Sequence, residues 1–171
     1  MAQIGFLDGK FYIIDLRVNH VSNKEFVGWF YDLTESVPSC VQVYNYIENN
    51  SLQDPFFEQV IRPLFNEQAK QRGIISLIGD SRKKPDKFQR IEGNLSALND
   101  SSRLLFNVDK QNNEHFLRAK EQFLLVSPSC RSQIDCPDCI EGGVFIIKEK
   151  LRTLASDSVL IGRRHINNKR I

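Results

Sequence analysis

Carboxylates at two places in this sequence have the types and spacing for phosphodiester chemistry. Asp135, Asp138 and Glu141 crowd the run Asp135-Cys136-Pro137-Asp138-Cys139-Ile140-Glu141-Gly142-Gly143, at the start of an amphipathic helical pattern. Far upstream, Glu48 closes the strand-like run Val41-Gln42-Val43-Tyr44-Asn45-Tyr46-Ile47. Divalent ions of the magnesium type want oxygen ligands and take only one or two carboxylates from the protein. Two such ions about 3.5–4 Å apart activate a water and stabilise the leaving oxygen in phosphoryl transfer. That chemistry needs acids from separate elements to converge. A plainer reading uses the same residues. Asp135 caps a helix with Pro137 in its first turn, Asp138 and Glu141 complement the helix dipole, and Glu48 is a solvated strand end. By spacing alone the plainer reading is the more economical.

The basic residues are unevenly placed. Net charge is only +2, so the whole chain is no polycation. Arg82-Lys83-Lys84, Lys87 and Arg90 nevertheless form one cluster, and Arg163-Arg164, Lys169 and Arg170 form another. Local patches matter more to phosphate binding than net charge. Lys83, Lys87, Arg90 and Asn94 fall on one side of a helical pattern whose apolar side is Phe88, Ile91, Leu95 and Leu98. A solvated helix face is the alternative to a DNA contact. Four cysteines follow no secreted framework. Cys136 and Cys139 form a lone CxxC, whereas a structural zinc site usually adds a second pair at ligand spacing. His115 and His165 do not supply it, so the expectation is buried or half-exposed thiols.

These groups must be positioned by a chain of 171 residues, long enough for one domain with a substantial core. No apolar run approaches the ~20 residues that cross a bilayer. The N-terminus lacks the pattern of a signal peptide, which favours the cytoplasm. Residues 2–7 and 11–18 read as strands joined by the hairpin signal Asp8-Gly9. Ser22-Asn23-Lys24-Glu25 is a capping box ahead of a helix. Residues 41–47 predict a third strand, Asp54-Pro55 a helix that Pro63 kinks or breaks and Gly73 ends, and 74–78 a short strand. Pro85 opens a further helix, 103–107 reads as a strand, and Asn112 or Asn113 caps the next helix. Helical periodicity runs from Pro137 for four turns. This order implies an α/β fold with a mixed sheet flanked by helices.

Three segments resemble the C-terminal nuclease domain of phage terminase large subunits, the DNA-packaging motors. Gly9-Lys10-Phe11-Tyr12-Ile13-Ile14-Asp15-Leu16-Arg17 is similar to the family's strand after a hairpin turn. Tyr46-Ile47-Glu48-Asn49-Asn50-Ser51 is similar to its second acidic motif. Residues Asp135 to Val144 are similar to its third, Asp-x-Pro-Asp-x-x-Glu-Gly. The helix start from Lys84 to Ile91, with Lys87 and Arg90, resembles the family's basic segment between the last two acids. The resemblance implies an RNase H-like domain over residues 1–155, followed by a basic tail, 156–171. It implies Mg²⁺ or Mn²⁺ held by Glu48, Asp138 and Asp135, and double-stranded DNA met by Lys83, Lys84, Lys87 and Arg90. It further implies cutting of concatemeric viral DNA in a bacterial host cell, with other terminase subunits or the portal as partners. No Walker-type motif accompanies it.

One departure shapes the expectation. The family's first catalytic Asp ends a strand that precedes the hairpin, and no Asp here precedes Asp8. That strand is central in RNase H-like sheets, between the second strand and the Glu-bearing one. Ladder groups left unpaired in an interior cost ~1–3 kcal/mol each. Val159-Leu160-Ile161, a strand swapped from another copy in a dimer, or direct closure of the two neighbours would fill the place. The resemblance therefore implies one of two things: a metal-dependent endonuclease domain, or a non-catalytic DNA- or partner-binding remnant of it from a prophage.

Overall fold

The computed structural model describes residues 1–48, 55–80, 82, 84–130 and 132–167, with side chains to residue 154. The chain is mixed α/β and divides into two compact units, Met1–Val18 with Pro85–Ile171, and Asn19–Lys84. Among the described residues no helix is long and apolar enough to cross a membrane.

The first unit is built on a hairpin. Strand β1 (Ala2–Leu7) pairs antiparallel with β2 (Lys10–Leu16). Asp8 and Gly9 both take positive φ, 49° and 75°, as a turn matched to strand twist requires. Phe11 and Ile13 alternate into the core while Ile14 stays exposed. A short strand, β5 (Leu104–Phe106), adds in parallel to the far side of β2, giving the order β1-β2-β5.

Helices cover one face of this sheet. Asp86 caps α3 (Lys87–Ile91) by accepting from Gln89 N–H. The helix widens into a π-helical turn (Glu92–Ser96) and ends as α4 (Ala97–Asp100). Asn113 caps α5 (Glu114–Leu124). The long α6 (Asp135–Asn167) lays Ile140 and Val144, both fully buried, on the same core as Phe11, Ile13 and Leu16. A Cβ on Gly143 would stand 2.5 Å from Ile4 Cδ1, so the missing side chain lets α6 approach the hairpin closely.

The second unit holds α1 (Asn23–Glu35), capped by Ser22 as the capping box predicts. Strands β3 (Asn45–Glu48) and β4 (Leu77–Asp80) pair in parallel, with Glu48 opposite Asp80. Between them a π-helical turn (Phe57–Ile61) leads into α2 (Arg62–Arg72). Pro63 has no N–H to give and sits in the first turn of α2. The helix opens to a π turn, with Arg62 N–H on Phe57 O, where a kink or a break was expected. Val27, Tyr31, Phe57 and Ile61 form this unit's own core.

Several expectations need correction. Residues 41–44 lie outside any strand and Val41 is half exposed; the strand is only Asn45–Glu48. Residues 74–76 are likewise outside β4, and Ile74 is almost wholly exposed. Short apolar runs do not place a strand's ends, because pairing decides which residues join a ladder. One mixed sheet was expected, and the described residues form two separate sheets. Val159-Leu160-Ile161 lies within α6 and builds no substitute strand. Residues 2–7 form an ordinary hairpin strand, and β1 and β3 do not pair with each other among the described residues. Lys83, Asp54 and Asn49-Asn50-Ser51 lie outside the described residues.

Asp15, near the end of β2, is buried. It accepts from Leu16 N–H at 2.8 Å, Arg17 at 2.9 Å and Lys110 Nζ at 2.9 Å. Burial pushes its carboxyl up, but these donors outweigh burial and hold it below the ordinary range. A carboxyl lowered in the folded state stabilises fully above its unfolded pKa, about 4. That contribution is lost as pH falls through the lower folded value. Asp15→Asn is expected to flatten the loss of stability below about pH 4, measured by urea melts from pH 5 to 2. An unchanged slope would count against it.

Candidate functional site

The third acidic motif meets the basic helix start inside the first unit. Pro137 is fully buried and Asp135 stands in the first turn of α6, one residue further in than a cap. The orphan donor there is met from outside the helix: Gln122 of α5 accepts from Cys136 N–H at 2.7 Å. This corrects the expectation that Asp135 caps the helix. From this start Asp138 and Glu141, three apart, point along neighbouring lines of α6. From α3 and the following π turn, Lys87, Arg90 and Asn94 point toward them.

Arg90 is the centre of the arrangement. Its guanidinium donates to Glu141 Oε2 at 2.5 Å, Asp138 Oδ1 at 2.7 Å and Pro85 O at 3.0 Å. Asn94 donates to the other Glu141 oxygen at 2.8 Å. The Arg90 side chain is 9% exposed and that of Glu141 1%, so this pair is removed from water and fully answered. Lys87 Nζ lies 2.8 Å from Asp135 and 3.5 Å from Asp138. Asp138 is 22% exposed and Asp135 71%; this half of the network faces solvent. Burial pulls the Lys87 amine down, but its bonds to Asp135 and Asp138 and their field outweigh that and hold it above the usual lysine range.

The second unit repeats the arrangement at the carboxyl ends of its two strands. Lys84 Nζ lies 3.0 Å from Glu48 and 3.8 Å from Asp80. Arg82 grips Asp80 with two bonds, at 2.8 and 2.7 Å. Those bonds hold the Asp80 carboxyl below its usual range against the opposing effect of burial. The carboxyl ends of adjacent parallel strands are where open α/β sheets place ligands.

Each described cation of the basic cluster is thus paired with an acid. Arg82 pairs with Asp80, Lys84 with Glu48 and Asp80, Lys87 with Asp135 and Asp138, and Arg90 with Asp138 and Glu141. Among the described residues no three carboxylates, imidazoles or thiols gather as a metal-holding group. Each place instead brings two carboxylates onto one ammonium. Two acids already converged on a cation suit a hard divalent ion that keeps most of its waters.

Two of these residues, Asp80 and Asn94, were not singled out as site residues from sequence, and Glu141 was grouped with Asp135 and Asp138 without its buried partner. Glu141 reads as a dipole partner until the buried Arg90 is seen beside it. Asp80 reads as a loop residue, and Asn94 as part of a solvated face. A signal existed for Glu141 and Asn94: Asp138/Glu141 and Lys87/Arg90/Asn94 have complementary charge and polarity at matching helical spacings. Asp80 carried none. The CxxC thiols part company, Cys136 in the core with its pKa pushed up to about 12 by burial, and Cys139 exposed. No protein-family model and no curated protein matches this sequence.

Proposed function

We propose that this chain is an RNase H-like domain of the terminase-nuclease kind, a metal-dependent endonuclease acting on double-stranded DNA. The carrying observation is the double convergence just described. Both acidic motifs of the resemblance, Glu48 at a strand end and Asp135 with Asp138 at a helix start, gather a carboxylate pair on a lysine from the basic segment.

In this reading Asp138 and Asp135 in the first unit, and Glu48 in the second, would each be ligands to Mg²⁺ or Mn²⁺, which when bound supplies an activated water and neutralises charge at the phosphate. The chain's own residues set the geometry. Arg90, locked by Glu141 and Pro85, fixes one Asp138 oxygen and leaves the other to Lys87. Asn94 keeps Glu141 from turning away from Arg90. Lys84 and Lys87, 20% and 36% exposed, would meet the DNA backbone, while Arg90, 9% exposed, is held inside.

One observation favours a second reading, a non-catalytic DNA- or partner-binding module. Each place gathers two carboxylates, and among the described residues neither gathers a third. Nicking of supercoiled plasmid in Mn²⁺ or Mg²⁺ separates the two. The nuclease reading expects nicking that chelation stops, and that Asp138→Asn and Glu48→Gln each reduce at least about a hundredfold. Salt-sensitive DNA binding with no nicking at any metal concentration would establish the second reading instead.

A further inference from the structure

We propose that Lys87 is a displaceable counter-ion that couples divalent-cation binding to DNA binding: it holds Asp135 and Asp138 together in the free protein and is released to phosphate when a divalent cation takes its place. The inference rests on the nuclease-type reading of these acids and adds an order of events to it.

The two cations of this site differ in how firmly they are held. Arg90 is buried, with bonds to Glu141, Asp138 and a backbone carbonyl. Lys87 is 36% exposed, and its chief partner Asp135 is 71% exposed. An ion pair that open to solvent holds weakly. Lysine carries a compact charge on a flexible four-carbon stem and can swing away without disturbing the backbone. A divalent ion attracts the same two carboxylates with twice the charge.

Electrostatics then sets the order. Lys87 and Arg90 stand against Asp135, Asp138 and Glu141, two cations against three carboxylates. With Lys148 also in the field of Glu141, the cluster as it stands has no excess positive charge to draw phosphate. With a divalent cation bound it becomes net positive, and Lys87 loses its partners at the same moment. Metal and DNA should therefore bind with positive cooperativity, and by linkage each raises the other's affinity by the same factor. In the second unit Lys84 also stands over two carboxylates, Glu48 and Asp80, but Arg82 makes the balance there two cations against two acids.

The test uses the intact chain, Ca²⁺ as probe and a fluorescent 30-base-pair duplex at fixed ionic strength. Calorimetry reads Ca²⁺ binding, and anisotropy reads DNA binding with and without Ca²⁺. Wild type is expected to bind the duplex about tenfold tighter in Ca²⁺. Lys87→Met should bind Ca²⁺ about three- to tenfold tighter than wild type, because a competing cation is gone, and should lose most of the Ca²⁺-dependent gain in DNA affinity. Lys87→Arg keeps the charge and should bind Ca²⁺ as wild type does. The counter-ion role is overturned if Ca²⁺ binds Lys87→Met no tighter than wild type, or if wild-type DNA affinity is the same with and without Ca²⁺. If wild type binds no Ca²⁺ at millimolar concentration, it is the metal-site reading itself that falls.

Discussion

Arg90→Met is expected to cost about 3–5 kcal/mol of stability, because it strands a buried carboxylate. Glu141 is fully buried, and both of its oxygens are answered only by Arg90 and Asn94 in the bonds described. Removing the guanidinium leaves a charge with one amide donor and no hydrogen-bonded counter-charge. Asp138 is less affected, since Lys87 and solvent remain to it. Glu141→Leu alone has the mirror defect, a buried guanidinium left with Asp138 and a carbonyl. Replacing both partners removes both desolvation costs, so Arg90→Met with Glu141→Leu should recover most of the loss. Urea denaturation at pH 7 of the two single variants and the double variant measures this. A single-variant loss under about 1 kcal/mol, or a double variant as unstable as the sum of the singles, would sink the account. The clamp joins residues 51 apart in the chain, so its loss should also free α3 from α6.

Phe11→Ala is the second large effect, expected to cost about 3–5 kcal/mol. Phe11 is 1% exposed on β2, the central strand of its sheet. Its ring packs with Phe6 at 5.0 Å between centroids, and its N–H bonds to Arg103 O at 2.8 Å. The substitution keeps the backbone bond and removes only the ring, so the loss reports packing and the cavity left behind. Phe6→Ala is the control. Phe6 faces the same ring but is 36% exposed, and its truncation should cost well under half as much. Equal losses at the two positions would mean that burial does not set the cost here.

Particular residues show how far the sequence could be read. Ser22, Asn113, Asp8-Gly9 and Gly73 act over three or four residues, so cap, turn and stop were all legible and all stand where expected. The apolar stripe Ile91, Leu95 and Leu98 was legible for the same reason, and all three are buried. Strand limits were not legible. Val41 and Ile74 have strand-like side chains, but a strand exists only where a partner offers a ladder, and the partner comes from elsewhere in the chain. The helical state of residues 159–161 was missed because three apolar residues carry no period.

The sequence by itself determined the local elements, the acids Glu48, Asp135 and Asp138, and the basic segment through Lys84, Lys87 and Arg90. It could not determine what those charges do to one another, because charge pairing depends on distance in space and on burial, and neither has a period along the chain. Only the tertiary structure decided that Arg90 is buried on Glu141, and that Lys87 and Lys84 each stand over a pair of carboxylates. A basic face and an acidic motif that seemed separate along the chain are, in the folded units, each other's counter-ions.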